Sequence, residues 1–245
     1  MANNLLNDQL SEPLSGVTTA RINVYADDGN LTIDRLPGDE QLLASGMLQY
    51  FESQGRPIRT CDVNNGQATF TLKGGSSAKL WFRFPWSACN GATEWQIHLN
   101  PRVPSDISAH SGGGNVKLNL AGMAVTRLSA DTGGGNMDVI LPDNASNLSV
   151  IAKTGAGTIT LEVGCHVTGS NTIIASSGAG NVVVHVPRHL AARIHATTGW
   201  GKSLVDPRFS RTGDNFYESP DFGRAVDKVE ITAQSGAGNV SILEN

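Results

Sequence analysis

The segment whose residue types most resemble a reactive site is 196–203, which reads ATTGWGKS. It is similar to a phosphate-binding loop with Ala in place of the first Gly, and Lys202 would contact a phosphate. A true loop of this kind opens a helix whose N-terminus faces the anion. Here the sequence continues Leu-Val-Asp-Pro, which does not start a long helix. We therefore expect a turn between strands, and nucleotide binding at Lys202 remains the weaker alternative.

Acidic and histidine side chains could supply two other kinds of chemistry. Asp131, Asp138 and Glu162 fall at outward positions of predicted strands, and two such carboxylates could hydrolyse a glycosidic bond. They do not share one column of the repeat, so a carbohydrate-active β-solenoid enzyme is kept only as an alternative. One pair of histidines is spaced by four residues, but Pro187 lies between them and excludes a helix. We predict neither a metal site nor a cofactor.

These residues belong to a repeat, and the repeat determines the elements that position them. The pattern is apolar-x-Ala-x-Ser/Thr-Gly-x-Gly, and its first glycines are 21, 22, 23, 21 and 37 residues apart. A unit of about 22 residues with two short strands is typical of one solenoid coil. The sequence therefore predicts an all-β, repeat-built stacked sheet or solenoid. The copies are Ile107–Gly114, Leu128–Gly135, Val150–Gly157, Ile173–Gly180, Ile194–Gly201 and Ile231–Gly238.

Within each copy, the apolar residue, the Ala and the Ser or Thr share one face, because strand side chains alternate. We expect this face to look inward, with the small Ala marking a narrow part of the core. The hydroxyls would bond to turn backbone or to each other. The columns are Ala109, Ala130, Ala152, Ala175, Ala196 and Ala233, and Ser111, Thr132, Thr154, Ser177, Thr198 and Ser235.

The turns are expected to need glycine because it enters positive φ without a steric clash. Asn follows the turn in four copies and is expected to adopt the left-handed region there. The predicted structural glycines are Gly112, Gly114, Gly133, Gly135, Gly155, Gly157, Gly178, Gly180, Gly199, Gly201, Gly236 and Gly238.

Outside the repeats, the chain divides into simpler parts. Residues 1–18 are expected to be a flexible tail, and 19–245 a single β domain. Its N-terminal part, 19–105, contains a hairpin signal at Asn64-Asn65-Gly66 and predicted strands at 41–51, 79–84 and 94–99. Residues 106–245 hold the repeats, with an insertion at 206–224 that should project from one side of the stack.

Trp200 is the candidate interaction residue, because its turn position holds only Gly or Ala in the other copies. We expect the 206–224 insertion to cover it; the alternative is that it is free to bind a partner. The C-terminal copy, ending in Ser241-Ile242-Leu243, is predicted to lie at or near the end of the stack. Unpaired backbone there would favour homo-oligomerisation through a terminal β edge.

Composition limits the classes of partner. The net charge is −4, with 39% hydrophobic and 16% charged residues. No basic stripe is present, which argues against nucleic acid. The sequence shows no signal peptide and no apolar span of about 20 residues. We therefore expect a cytoplasmic protein without a direct membrane span, whose three cysteines are unpaired thiols.

Residues 95–104 read WQIHLNPRVP, and they resemble the W-x-hydrophobic-x-L-N-P-x-V-P stretch of the toastrack family of bacterial β domains. This family includes adhesin-like proteins and the C-terminal domain of LiaF-like envelope-stress proteins. Residues 21–34 are similar to the family's opening strand pair, and the stretch precedes Gly-rich repeats in both. The resemblance implies a stacked β fold and a role in protein association or envelope sensing, without catalysis.

The sequence thus predicts a non-enzymatic binding or assembly module. Its partner would be a second copy or an unknown protein.

Overall fold

The computed structural model describes residues 4–38, 41–75 and 93–245. Two sheets face each other, and a continuous apolar core lies between them. The first, sheet A, contains in spatial order β1 (Leu5–Pro13), β4 (Leu42–Phe51), β7 (Thr93–Leu99), β3 (Gly29–Arg35), β9 (Val116–Asn119), β11 (Met137–Ile140), β13 (Ile159–Glu162), β15 (Val182–Val186), β21 (Val240–Glu244) and β17 (Ser203–Val205).

Sheet B holds the longer strand of each repeat. Its spatial order is β18 (Ser210–Gly213), β19 (Phe216–Glu218), β16 (Ala191–Trp200), β20 (Lys228–Ala237), β14 (Ser170–Ala179), β12 (Ser149–Ala156), β10 (Val125–Gly134), β8 (Ser105–Ser111), β2 (Thr19–Ala26), β6 (Gln67–Lys73) and β5 (Ile58–Asn64). A short 3-10 helix at Glu52–Gln54 follows β4. The predicted all-β stacked fold is confirmed.

The alanine column faces inward, as predicted. Ala130 lies in register with Ala109 on one side and Ala152 on the other, and all six column alanines are buried. Past each turn, aliphatic side chains of sheet A fill the wider part of the core, as at Val139 and Leu161. Full burial of such a side chain contributes about 1.5–3 kcal/mol.

The column hydroxyls bond to turn backbone of the neighbouring copy. Thr132 Oγ1 donates to the Gly114 carbonyl at 2.8 Å, and Ser177 Oγ donates to the Gly157 carbonyl at 2.8 Å. The other four column residues make the equivalent bond. The hydroxyl-bearing residue is buried in five copies and half-buried at Thr198, and a buried hydroxyl without a partner would be costly.

The expected reason for the turn glycines is wrong at most positions. Of the twelve, only Gly157, Gly180 and Gly238 have positive φ. A Cβ on Gly135 would instead meet the Gly114 carbonyl oxygen, and one on Gly199 would lie 2.6 Å from the Gly236 oxygen. Glycine is required because the backbones of successive turns nearly touch.

The asparagines after the turns also have a different role from the expected one. Positive φ outside glycine occurs, in the described ranges, at Asn65, Asn147 and Asn215, none of which follows a repeat turn. The turn asparagines form a ladder instead: the Asn136 N–H donates to Asn115 Oδ1 at 2.9 Å. The Asn239 N–H donates in the same way to Asn181 Oδ1, at 2.8 Å.

The N-terminal part contains one correction. The hairpin β5–β6 forms around Asn65-Gly66, and β4 and β7 are strands as expected. The predicted tail, however, contains β1, which pairs antiparallel with β4 and buries Leu10. Edge backbone on β4 and one apolar side chain outweigh the polar composition of this segment. The strand expected at 79–84 lies outside the described residues.

The C-terminal copy is not at the end of the stack. Strand β20 lies between β14 and β16, and β21 lies between β15 and β17. The sixth copy is therefore inserted between the fourth and the fifth. Because all copies share one pattern, the sequence offers no means of telling which copies are neighbours.

Candidate interaction surface at the open end of the stack

The described sheets have four edges, and three of them end in antiparallel strands. Sheet A begins with β1 antiparallel to β4, and sheet B begins with β5 antiparallel to β6. At the other end, sheet B closes with the antiparallel hairpin β18–β19. Sheet A instead ends in β17, a three-residue strand that runs parallel to β21. Strand β17 is therefore the one described edge without an antiparallel cap.

The N-terminal edges carry charge. Asp8 on β1 forms a two-bond ion pair with Arg56, at 2.6 and 2.9 Å, and the guanidinium lowers the pKa of the Asp8 carboxyl. Arg59 and Asp62 lie exposed on β5. Charged side chains on an edge strand oppose the addition of a further strand.

The 206–224 insertion does not project from the stack; it extends sheet B. Strand β19 pairs antiparallel with β16 over Arg193, Ile194 and His195, and the Ala196 N–H donates to the Asn215 carbonyl at 3.0 Å. Arg193 binds Glu218 at 2.7 Å. The hairpin thus caps the first half of β16 and stops short of the turn.

Arg208 anchors the start of this insertion. Its guanidinium donates to the backbone carbonyls of Arg188 at 2.8 Å and Pro187 at 3.0 Å, and lies over the Phe209 ring at 4.0 Å. Burial lowers the pKa of Arg208, while the nearby Glu244 opposes that shift. Because the carbonyls belong to the loop before β16, Arg208 ties the hairpin to the rung that it caps.

Beyond the hairpin, the remaining edge is uncovered. We call the second half of β16 (residues 197–200) together with β17 the open edge. Trp200 is 85% exposed there, so the expectation that the insertion covers it is wrong. Leu204, which the sequence analysis missed, is 61% exposed on β17. Its outward position follows from strand alternation, since its neighbour Val205 packs against the core.

The backbone of the turn at residues 199–202 is hydrogen-bonded to the neighbouring rung, although the Trp200 side chain is exposed. The Gly238 N–H donates to the Trp200 carbonyl at 2.9 Å, and the Lys202 N–H donates to Asn239 Oδ1 at 3.0 Å. Strand β17 follows at Ser203, so no helix N-terminus is available to a phosphate. Lys202 therefore occupies the Asn position of an ordinary repeat turn, and the geometry does not support the nucleotide-binding alternative.

A shallow groove of about 610 Å³ lies on the outer face of sheet B. His110 Nδ1 bonds to Asp131 Oδ1, and Lys153 is in register with Asp131 on the next strand. Asp138 and Glu162 lie on sheet A, so they do not join Asp131 in a carboxylate pair. Among the described residues, no three His, Cys, Asp or Glu side chains form a group that could hold a metal ion.

Comparison with known proteins agrees with this architecture. A family model described as the N-terminal domain of toast_rack matches residues 3–162. The chain belongs to the toast-rack family. No curated protein matches it.

Two solved structures extend the comparison of this toast-rack chain. One, named a "putative cell adhesion protein" from Clostridium sporogenes, is 19% identical with a TM-score of 0.69, covering 99% of this chain and 100% of its own. Another, named a "putative adhesin" from Bacteroides fragilis, is 12% identical with a TM-score of 0.33, covering 99% and 98%. The first shows that the whole fold is shared.

In the described part of the toast-rack chain, no helix is long and apolar enough to cross a membrane.

Proposed function

We propose that this toast-rack protein is a non-enzymatic binding and assembly module that associates through the open edge. The observation that carries the proposal is the asymmetry of the sheet edges formed by the described residues: three end in antiparallel strands, while the edge at β17 does not. An uncapped strand with an exposed apolar side chain, here Leu204, is a ready template for another strand.

The exposed side chains support the same surface. Trp200 and Leu204 lie on the rung that ends the stack, and aromatic residues often carry the binding energy of protein interfaces. The name of the Clostridium structure, a cell adhesion protein, is in keeping with protein association. A role near the cell envelope, which the family resemblance implies, is part of the proposal.

The test is the effect of Trp200→Ala on self-association. We expect sedimentation of the wild-type protein to show a concentration-dependent larger species, and Trp200→Ala to weaken it. Val226→Ala is the matched control, because Val226 is 81% exposed but lies outside the open edge. A wild-type protein that stays monomeric at high concentration would contradict the proposal.

A further inference from the structure

We propose that the outer face of sheet B binds a second copy of this chain, face to face, about a two-fold axis that runs along the strands between β12 and β14. This inference goes beyond the proposed function, because the contact is centred on the side of the stack and not at the open edge.

The centre of this face carries no charge. Ile151 on β12 and Ile174 on β14 are in register, and both are half-buried although their side chains point away from the core. Ser149 and Thr172 lie next to them on the same two strands, also in register and on the same face. A central patch without charges, surrounded by a polar rim, is typical of protein interfaces.

The charges on either side of this centre are self-complementary. One row of residues in register across four strands consists of Arg127 on β10, Ser149 on β12, Thr172 on β14 and Glu230 on β20. An axis between β12 and β14 sets β10 opposite the partner's β20. Arg127 therefore faces the partner's Glu230, and Glu230 faces the partner's Arg127.

Both side chains are available for this contact. Among the described residues, Arg127 is exposed and has no ion-pair partner. Glu230 binds Arg193 at 3.4 Å, and 55% of the Glu230 side chain remains exposed. Arg193 also binds Glu218, at the shorter distance of 2.7 Å. Glu230 can therefore bind the partner's Arg127 without leaving Arg193 unpaired.

The same row extends the complementarity toward both ends of the face. Asp106 on β8 faces the partner's Arg193, and Arg21 on β2 faces the partner's Glu218. Packed sheets commonly cross at about 30°, which displaces these outer pairs more than the inner one. Because Arg127 and Glu230 lie within two strands of the axis, their pair determines the register of the two copies.

The partner also fills the groove on this face. Asp131 lines the groove beside His110 and Lys153, and its row continues through Ser176 to Gln234 on β20. The symmetry sets the partner's Gln234 opposite Asp131. Gln234 is exposed, and its side-chain amide can donate to a carboxylate. Lys153 faces the partner's Ser176, so no like charges meet in this row.

The face is large enough for a stable contact. Six strands from β8 to β16, about 4.8 Å apart, with six residues of about 3.3 Å each, give a flat area of about 570 Å². A standard interface buries about 800 Å² of accessible surface per partner, in which the relief of the side chains is included.

The elements at the end of sheet B leave this face open. The β18–β19 hairpin continues the sheet, so it lengthens the face and does not cover it. The loop before β20 lies at the margin, where Phe222 contacts Arg193 and Lys228. We therefore infer a closed dimer in which both copies use the same surface.

A charge exchange tests the register. In Arg127→Glu and in Glu230→Arg, each alone, the facing charges become alike, and we expect the dimer dissociation constant to rise at least about tenfold. An equimolar mixture of the two variants restores both pairs and should form a heterodimer of near wild-type affinity. Lys117→Glu, which reverses an exposed charge on the outer face of sheet A, is the control and should leave the constant unchanged. Analytical ultracentrifugation measures each constant, and melting curves show that each variant is folded.

The outcomes separate this inference from the proposed function. Weakening by the two face variants but not by Trp200→Ala supports the face contact and contradicts association through the open edge. Weakening by Trp200→Ala alone overturns the face contact. Failure of the mixture to recover, with both variants folded and weakened, overturns the register. A monomeric wild-type protein overturns both proposals.

A cross-link tests the axis without altering charge. In a background with Cys61, Cys89 and Cys165 replaced by Ser, Ser149→Cys sets two thiols on facing strands of sheets about 10 Å apart. A short bismaleimide should link them into a covalent dimer. Thr160→Cys, on the outer face of sheet A, is the control and should not be linked. Equal linking of both variants would overturn the proposed face.

Discussion

At the scale of single residues, the turn glycines are explained by contact between rungs. The second glycine of each turn lies against the carbonyl of the equivalent glycine one rung away, as Gly135 does against Gly114. Ordinary turn propensity would not distinguish the glycines within one turn, but this contact does. Gly134 lies between Gly133 and Gly135 in the same turn, and no atom lies within 4 Å of the position that its Cβ would occupy.

Gly135→Ala and Gly134→Ala therefore form a matched pair. We expect Gly135→Ala to lower the free energy of unfolding by about 1–3 kcal/mol, because the added methyl group pushes two rungs apart. Gly134→Ala should change it by less than about 0.5 kcal/mol. Urea denaturation measures both. Equal effects would show that the contact between turns is not what selects glycine.

At the scale of elements, the β18–β19 hairpin is an added cap and not a part of the repeat. It contributes antiparallel strands that pair with β16 along three residues, and Arg208 binds it to the preceding loop. The bonds from Arg208 go to carbonyls in a fork that a lysine ammonium would not reproduce. The attachment of the hairpin to the stack should therefore depend more on the Arg208 side chain than on the strand pairing of the short hairpin.

We predict that Arg208→Met loosens the hairpin without unfolding the stack. Amide hydrogen exchange at residues 210–218 should become faster, while exchange in β10 and β12 stays unchanged. Arg211→Met is the control, since Arg211 is exposed and bonds only within the hairpin, to Gly213 and Asp214. Faster exchange throughout the chain would mean that Arg208 stabilises the core and not the cap.

At the scale of the whole molecule, the position of the sixth copy makes the C-terminus part of the interior of the stack. Strands β20 and β21 each pair on both sides. The fifth copy consequently has no other repeat copy to pair with until the last residues are in place. In a stack where each rung contacts only adjacent rungs, loss of an inner rung leaves the rungs beyond it without contact to the rest of the stack.

Deletion of residues 228–245 should therefore be more damaging than deletion of residues 4–14. The first removes an inner rung, and we expect limited proteolysis to cleave throughout 187–227. The second removes the edge strand β1, and cooperative thermal unfolding should persist with a lower midpoint. Protection of 187–227 in the first deletion would show that the fifth copy pairs directly with the fourth, and would contradict the expectation that loss of an inner rung detaches the rungs beyond it.

The sequence by itself determined the repeat, and with it the stacked β fold and the inward alanine and hydroxyl columns. These follow from local periodicity, since alternation along each strand assigns its faces. The family was likewise readable from residues 95–104 and the Gly-rich turns.

Only the tertiary structure decided which copies are neighbours, how the insertion packs, and which edge is left open. Six copies with one pattern can pair in any order, so their order depends on chain connections and end caps and not on the pattern. The exposure of Trp200 was not predictable, because it depends on where the β18–β19 hairpin stops pairing along β16. The outward direction of Leu204 follows from alternation, but its place on an edge strand depends on the order of the copies.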